Sequence, residues 1–451
     1  MAKRPPRGKL GRLARLGGLT SRVSGSYLGQ RIRSVFQDDE DADASLRRVH
    51  LENAERIVDT MGLLKGAAMK VGQSLAQVVD GMDLPPEMAN ILGKLNNKAT
   101  PIPFSLIKAS IERELDARID DLFSDFDEEP LGTASLAQAH AARLPSGEAV
   151  VVKVLHDGIE DSVDSDLSAL KTLFLTGRVL RRDRSEIDAI FAELRDRLSE
   201  ELDYYQEAAN LEHFHRSLAD FPDIHVPSTH PQYCTERVLT MDRLLGRSLD
   251  DFLPMADRQA KQKAGDLLAL AFHDMFYRQR ALHADPHPGN YLFRTDGGLG
   301  ILDFGCVKRF DVYFVANYAR MAKTLVLGER DAFMDAAQQV GILTDGPAES
   351  RDVLWSFGEL IGHPLRQEQY ACSTGVDEMT TGIQRMMPQI LRYPNIRSPR
   401  TIIYLHRSLS GIYSMIRRLE HEGRYRELFL RHVDHAIAVA EGRREDGSVV
   451  R

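Results

Sequence analysis

Two short stretches beyond the middle of the chain decide the fold: His283-Ala284-Asp285-Pro286-His287-Pro288-Gly289-Asn290 and, further on, Asp303-Phe304-Gly305. Asn290 follows Asp285 by five residues, and Asp303 follows Asn290 by thirteen. Phosphoryl transfer requires residues of these types, because one carboxylate orients the nucleophile while an amide and a second carboxylate hold Mg²⁺ against the nucleotide phosphates. The pattern therefore predicts a nucleotide and magnesium site.

The spacing matches the H-R-D-x-x-x-x-N and D-F-G motifs of protein kinases. A three-residue D-F-G is common by chance, but its partner motif and a hairpin predicted between the two make the match fairly specific. Two other interpretations remain open. His283, Asp285 and His287 could bind zinc or iron as a short cluster, or the segment could be only a polar turn with two prolines.

A candidate phosphate-binding lysine lies upstream, in Val150-Val151-Val152-Lys153-Val154, which is similar to the V-A-I-K strand of kinases. The stretch Gly132-Thr133-Ala134-Ser135 begins 21 residues before Lys153, where a kinase places its glycine-rich loop. Ala134 replaces the second glycine, and its Cβ disfavours positive φ. We therefore expect the nucleotide to be held differently from that in an ordinary kinase.

A lysine of this kind needs a glutamate partner on a helix. Glu201, Asp203 and Glu207 are the candidates, and Glu207 lies 54 residues after Lys153. This spacing is larger than in ordinary kinases, so it predicts a helical insertion. Three acids on a helix are more often a solvated face, but the other motifs favour a role in the site.

Hydrophobic periodicity predicts an α+β chain with a small strand-containing unit, a mostly helical unit and a cleft between two lobes. The first predicted elements are strands over 131–144 and 148–155 joined by Pro145-Ser146-Gly147, followed by a long helical region over about 160–218. Next come a strand over 233–245, a helix over 257–280, a hairpin turning at Asp296-Gly297-Gly298, and a helical tail over 311–440.

Composition limits the possible classes of protein. Of 451 residues, 43% are hydrophobic and 27% are charged, which is typical of a soluble globular protein. Cys234, Cys306 and Cys372 form no Cys-x-x-Cys pair, which argues against a disulfide framework and favours a reducing, cytoplasmic compartment. The sequence contains no run of 18 apolar residues, so it does not predict a transmembrane span. We expect no nucleic-acid partner.

Charge is unevenly distributed, because residues 1–34 hold nine Lys or Arg and no Asp or Glu in a chain of net charge −8. Leucines recur every third residue from Leu10 to Leu19. One interpretation is an amphipathic helix on an anionic membrane. The alternatives are a flexible basic tail and a helix packed on its own protein.

Taken together, these motifs resemble the UbiB/AarF-type atypical protein-kinase-like proteins. Lys70, Gly72 and Gln73 match the family's K-x-G-Q signature, and Glu201 and Asp203 match its E-x-D signature. Gly132 to His140 looks like its alanine-type nucleotide loop. The resemblance covers roughly residues 10–310.

The resemblance implies a bilobed, protein-kinase-like α+β fold with an N-terminal helical extension and a largely helical C-terminal lobe. The implied domains are a basic arm (1–40), a helical extension with the K-x-G-Q motif (41–128), an N-lobe with a helical insertion (129–245) and a helical C-lobe (246–451). The family's K-x-G-Q helix fills the groove where a kinase would hold a protein substrate.

The resemblance also implies roles for single residues. Lys153 contacts the α- and β-phosphates of ATP (or ADP), and Glu207 orients Lys153. Asp285 is the catalytic carboxylate, while Asn290 and Asp303 hold Mg²⁺. The nucleotide-binding residues are Gly132, Thr133, Ala134, Ser135 and Lys153, with Asp242, Arg243, Leu244 and Leu245 as the hinge that receives adenine.

The implied function is a membrane-associated ATPase that supports isoprenoid quinone (ubiquinone) synthesis or lipid metabolism and does not phosphorylate proteins. Its partners are a lipid or quinone precursor, an anionic membrane surface and the enzymes of quinone synthesis. The alternatives are a small-molecule phosphotransferase and a nucleotide-gated pseudokinase scaffold. The chain departs from the family pattern at Asp242, where Glu is expected, and in its polar last residues, 443–451, because some bacterial members end in hydrophobic membrane helices. No A-P-E motif follows Asp303, which removes the usual platform for a protein substrate.

Overall fold

The structure is a computed structural model that describes residues 101–134, 136–160, 184–372 and 378–443, parts of 163–171 and a few isolated positions before residue 101. The motif residues Lys70, Gly72 and Gln73, Ser135 and nearly all of the predicted basic arm lie outside the described residues.

The elements of the described residues are as follows. The strands are β1 (Asp125–Thr133), β2 (Ala137–Arg143), β3 (Ala149–Leu155), β4 (Ile224–His225), β5 (Val238–Asp242), β6 (Ala281–His283), β7 (Tyr291–Phe293), β8 (Leu299–Ile301), β9 (Val307–Arg309), β10 (Tyr370–Ala371) and β11 (Glu422–Gly423). The main helices are α1 (Phe104–Leu115), α2 (Ile119–Leu122), α3 (Arg184–Glu200), α4 (Tyr204–Ser217), α5 (Leu249–Phe252), α6 (Arg258–His273), α7 (Val312–Leu327), α8 (Arg330–Val340), α9 (Ala348–Arg366), α10 (Glu378–Ile390), α11 (Arg400–Arg418) and α12 (Tyr425–Ala440).

The first of two compact units comprises Met1–Ala208 and Thr229–Arg243, and it contains an antiparallel sheet with strand order β1-β2-β3-β5. The even-numbered residues of β3, from Val150 to Val154, are fully buried valines packed with α1. Since successive side chains of a strand point to opposite faces, Lys153 lies on the other face of the sheet.

One prediction of local structure in this unit was wrong, and another gains detail. The run 131–144 is not one strand, because the chain turns between β1 and β2, where the amide of Ala134 donates to the carbonyl of Ala137 at 2.9 Å. The long helical region predicted over about 160–218 contains α3 and α4, with a break between them. There the Asp203 carboxylate accepts a hydrogen bond from the amide of Gln206 at 3.0 Å, which is the role of a helix N-cap.

Both predicted hairpin turns are confirmed. Gly147 between β2 and β3 has φ +102°, and Gly297 between β7 and β8 has φ +81°. Residues with a Cβ rarely adopt this left-handed conformation, so the two glycines mark the turns in the sequence.

The second unit comprises Ala209–Ser228 and Leu244–Arg451 and is mostly helical. Its short strands matter because they hold two loops. Pairing of β6 with β9 sets His283 opposite Val307, and pairing of β7 with β8 sets Tyr291 opposite Ile301. Strand pairing therefore joins the loop from β6 to β7 and the loop from β8 to β9 at both of their ends.

The predicted α+β class and the helical tail are confirmed. Among the helices of the described residues, none combines the length and apolar character needed to span a bilayer.

Candidate functional site

The first unit contains a buried ion pair. Nζ of Lys153 on β3 lies 2.5 Å from Oε1 of Glu207 in the first turn of α4, and the two side chains are 16% and 5% exposed. The ring centroid of Tyr204 lies 5.7 Å from the same Nζ. Burial of two charges is costly unless they are paired, so each side chain holds the other in place.

The predicted E-x-D residues lie at the break between α3 and α4. Asp203 caps α4 and so fixes the helix that carries Glu207. Glu201, two residues before Asp203, is half-buried. The structure gives Asp203 a structural task that the sequence analysis did not assign to it.

The predicted nucleotide loop begins in the last residues of the edge strand β1. Gly132 and Thr133 pair with Ala139 and Gln138 of β2, and Ala134 begins the turn. A Cβ at Gly132 would meet no atom of the described residues within 4 Å. Ala134 does not have positive φ, as expected of a residue with a Cβ.

The predicted hinge begins at the end of β5. Oδ1 of Asp242 lies 2.9 Å from Nε2 of His230, and the amide of Arg243 donates to the carbonyl of Ala149 at 3.0 Å. The division into two units falls between Arg243 and Leu244, and Leu245 is 76% exposed. The contact between His230 and Asp242 was not predicted, because no motif in the sequence links the two residues.

In the second unit, the loop from β6 to β7 carries Asp285 and Asn290. Oδ1 of Asp285 accepts a hydrogen bond from Nη2 of Arg407 at 3.0 Å, and Nδ2 of Asn290 donates to the carbonyl of Asp285 at 2.9 Å. This last bond turns the Asn290 amide nitrogen toward its own loop, which leaves its oxygen suited to act as a ligand.

The loop from β8 to β9 carries Asp303, whose Oδ1 accepts a hydrogen bond from the amide of Gly305 at 3.0 Å. Phe304 is fully buried and stacks on Phe214 of α4 with ring centroids 4.5 Å apart. Nδ2 of Asn210 donates to the carbonyl of Phe304 at 3.0 Å. Asn210 is thus a support of this loop, which the sequence analysis missed.

His283 joins the two loops from within the core. Its ring lies edge-on to Phe304 with centroids 5.4 Å apart, and its Nδ1 is 3.3 Å from the hydroxyl of Tyr291. Burial lowers the pKa of His283, although the negative charges of Asp303 and Asp285 act to raise it. Burial also raises the pKa of Tyr291. Both groups are therefore neutral at pH 7.

The geometry does not support the alternative of a zinc or iron cluster. His283 is buried in the core, whereas His287 is exposed and its Nδ1 accepts a hydrogen bond from the amide of Gly289. No three His, Cys, Asp or Glu side chains of the described ranges come together as a metal site.

The residues present fit Mg²⁺, which takes one or two carboxylates from the protein and its other ligands from water and phosphate. The amide of Leu302 donates to the carbonyl of Asn290 at 2.9 Å. Asn290 and Asp303 therefore lie at neighbouring positions of the two joined loops. They could supply an amide oxygen and a carboxylate oxygen to Mg²⁺.

Comparison with known proteins gives a consistent result. The family described as the ABC1 atypical kinase-like domain matches residues 94–337. The atypical kinase COQ8 of Saccharomyces cerevisiae, a mitochondrial protein, is 29% identical over 92% of this chain and 82% of its own length. The probable protein kinase UbiB of Pseudomonas paraeruginosa is 34% identical over 55% of this chain and 47% of its own length.

A solved structure has a similar fold. It is a Mycobacterium tuberculosis protein in complex with erythromycin, which is 23% identical and superposes with a TM-score of 0.61 over 87% of this chain and 97% of that one. At this identity the similarity supports the fold alone.

Proposed function

Because this chain belongs to the ABC1 atypical kinase-like family, we propose that it binds Mg-ATP and turns it over in support of membrane isoprenoid quinone (ubiquinone) or lipid metabolism. The observation that carries this proposal is the buried ion pair between Lys153 and Glu207. A buried pair is weak evidence for stability, since apolar residues of similar size often stabilise a protein as well or better. In protein kinases, a pair of this kind holds the lysine in place to contact the nucleotide phosphates.

The roles of the residues follow from their chemistry. Lys153, oriented by Glu207, binds the α- and β-phosphates, and Asp285 orients the attacking water or hydroxyl. Asn290 and Asp303 are the protein ligands for Mg²⁺, which supplies charge neutralisation at the β- and γ-phosphates when bound. The residues from Asp242 to Leu245 receive the adenine ring.

In this proposal the chain does not phosphorylate proteins. Lys70, Gly72 and Gln73 match the motif whose helix fills the protein-substrate groove in the family, and no A-P-E motif follows Asp303. We propose a lipid or quinone precursor as the partner, with the basic residues of 1–34 contacting an anionic membrane surface.

Phosphate release from Mg-ATP by the purified full chain tests the proposal, measured with and without anionic liposomes and with Asp303→Asn as the blank. We expect turnover above the blank that rises with liposomes. A phosphorylated small molecule in place of free phosphate would instead identify a phosphotransferase. Nucleotide binding without any turnover would contradict the proposal and favour a nucleotide-gated scaffold.

The role of the arm has its own test. Removal of residues 1–34 is expected to abolish liposome stimulation while leaving basal phosphate release unchanged. Liposome binding that survives the truncation would show that another surface contacts the membrane.

A further inference from the structure

Helix α11 packs one face against the loop that carries Asp285. Oγ of Ser408 donates to the buried carbonyl of His283 at 3.1 Å. A Cβ on Gly411 would lie 2.4 Å from Cγ and 3.0 Å from the carbonyl oxygen of Pro286, so the backbone of α11 is in direct contact with the loop. Nζ of Lys308, beyond Asp303, lies 5.2 Å from the ring centroid of Tyr404.

These contacts fall at positions 404, 408 and 411, which share one face of a helix because side chains three and four residues apart are neighbours. Arg407 belongs to the same face, and its Nη2 donates to Oδ1 of Asp285 at 3.0 Å. The two side chains are 28% and 35% exposed. α11 lies beyond residues 94–337, the part of the chain that the family description matches.

The sequence around Arg407 offers it no acidic partner on its own helix. Residues 379–419 contain seven arginines and no Asp or Glu. α11 therefore offers Arg407 no carboxylate three or four residues away, where a helical arginine would ordinarily find one. The acid that the structure supplies comes from the loop, 122 residues earlier in the chain.

We propose that Arg407 is a positioning residue for Asp285, an inference that rests on the proposed function. Its guanidinium holds Oδ1 and so fixes the carboxylate orientation, which leaves Oδ2 for the incoming water or hydroxyl. A partly exposed ion pair contributes little to folding. Orientation of a reacting group, by contrast, has a large effect on rate, because a small misplacement slows the reaction strongly.

The test compares Arg407→Ala and Arg407→Lys in the full chain, with Arg418→Ala as the matched control. Arg418 lies on the same helix and pairs with Asp250 of α5. Each variant is measured for kcat and KM in phosphate release from Mg-ATP and for its thermal unfolding temperature. Arg407→Ala is also combined with Asp285→Asn.

We expect Arg407→Ala to lower kcat by about 10- to 100-fold, on the scale of a misplaced catalytic group, with KM for Mg-ATP unchanged. Arg407→Lys should recover part of the loss, and Arg418→Ala should match the parent chain. In the Asp285→Asn background, Arg407→Ala should cause no further loss.

Three outcomes would overturn the inference: an unchanged kcat in Arg407→Ala, a loss that follows only a lowered unfolding temperature, or a full additional loss in the Asp285→Asn background. If Asp285→Asn itself leaves turnover unchanged, the proposed function fails and this inference fails with it. An inactive Asp285→Asn beside a fully active Arg407→Ala would refute the positioning role alone.

Discussion

The carboxylate of Glu207 on α4 lies 2.5 Å from the ammonium of Lys153 on β3, although 54 residues separate them in the chain. Helix α3 lies between these two residues in the sequence, which is the helical insertion that the spacing predicted. The insertion does not prevent the two charged groups from pairing. The pair is nearly buried, and its energetics can be tested separately from any nucleotide.

Glu207→Met should destabilise the folded chain by about 3–5 kcal/mol, because it removes the Glu207 carboxylate from beside the largely buried Lys153 ammonium. Lys153→Met should have a similar effect for the converse reason. The double variant should lose much less than the sum of the two. Denaturant-induced unfolding gives these free energies.

A matched control is the pair of Lys323 and Asp434, which is 34% and 57% exposed. Lys323→Met should change the unfolding free energy by no more than about 1 kcal/mol. Equal losses at the two sites would show that burial does not govern the energetics of the Lys153–Glu207 pair.

Asn210→Ala should weaken the loop that carries Asp303. Asn210 is 3% exposed and supplies the hydrogen bond to the Phe304 carbonyl. An unpaired buried carbonyl costs about 1–3 kcal/mol, and we expect a lower affinity for Mg-ATP because Phe304 directly follows Asp303. Titration calorimetry and unfolding would measure both effects. Asn317→Ala, at a half-buried site on α7, is the control, and equal effects of the two variants would contradict the prediction.

Gly265→Ala should destabilise the second unit. A Cβ at Gly265 would lie 2.4 Å from Cδ2 of His421. That imidazole is 1% exposed and cannot retreat, since it is held 3.0 Å from the Asp266 carboxylate and 2.5 Å from the Tyr425 hydroxyl. Overpacking of this kind costs about 1–3 kcal/mol.

Gly132→Ala is the comparison, because among the described residues its Cβ would meet no atom within 4 Å. Its unfolding free energy should stay within about 0.5 kcal/mol of the parent. If Gly265→Ala is as stable as Gly132→Ala, the contact between α6 and His421 is not as close as the structure has it.

Stability should fall as pH falls from about 6.5 to about 4. Burial lowers the pKa of His273 in the folded chain from 6.5 to about 4, so in this window the unfolded chain binds a proton that the folded chain does not. The folded state therefore loses up to about 3 kcal/mol across the window, at about 1.4 kcal/mol for each pH unit of separation.

His273→Leu should make this fall smaller. It should not remove it, because burial also lowers the pKa of His406 to about 4. Unfolding free energies measured at several pH values test the prediction, with the exposed His363→Leu as the control. An unchanged pH dependence in His273→Leu would contradict it.

Local patterns predicted the parts of the fold that depend on local chemistry. The turns at Gly147 and Gly297 were found because glycine marks positive φ. Periodicity did not divide the run 131–144, because the sequence from Ala134 to Leu136 contains no Gly, Pro, Asn or Asp that would mark a turn. The break before Tyr204 was missed because Asp203 looked like one more acid on a helical face.

In the candidate site, too, the residues that belong to local motifs were predicted and those that contact distant loops were not. The motifs pointed to Lys153, Asp285 and Asp303, because phosphoryl transfer uses fixed residue types at fixed spacings. Arg407 and Asn210 were not predicted. Each contacts a loop that is remote in sequence, and an arginine or an asparagine on a helix carries no sign of which distant carboxylate or carbonyl it will meet.

The bond from Ser408 to the carbonyl of His283 also bears on how the protein is made. The two residues are 125 positions apart, so His283 leaves the ribosome long before its partner exists. At about 5–20 residues per second, the loop that carries Asp285 stays without this support for several seconds of synthesis. A nascent chain that has reached residue 337 holds all of these motifs yet lacks α11, so the contacts that support the Asp285 loop are expected to form only near the end of translation.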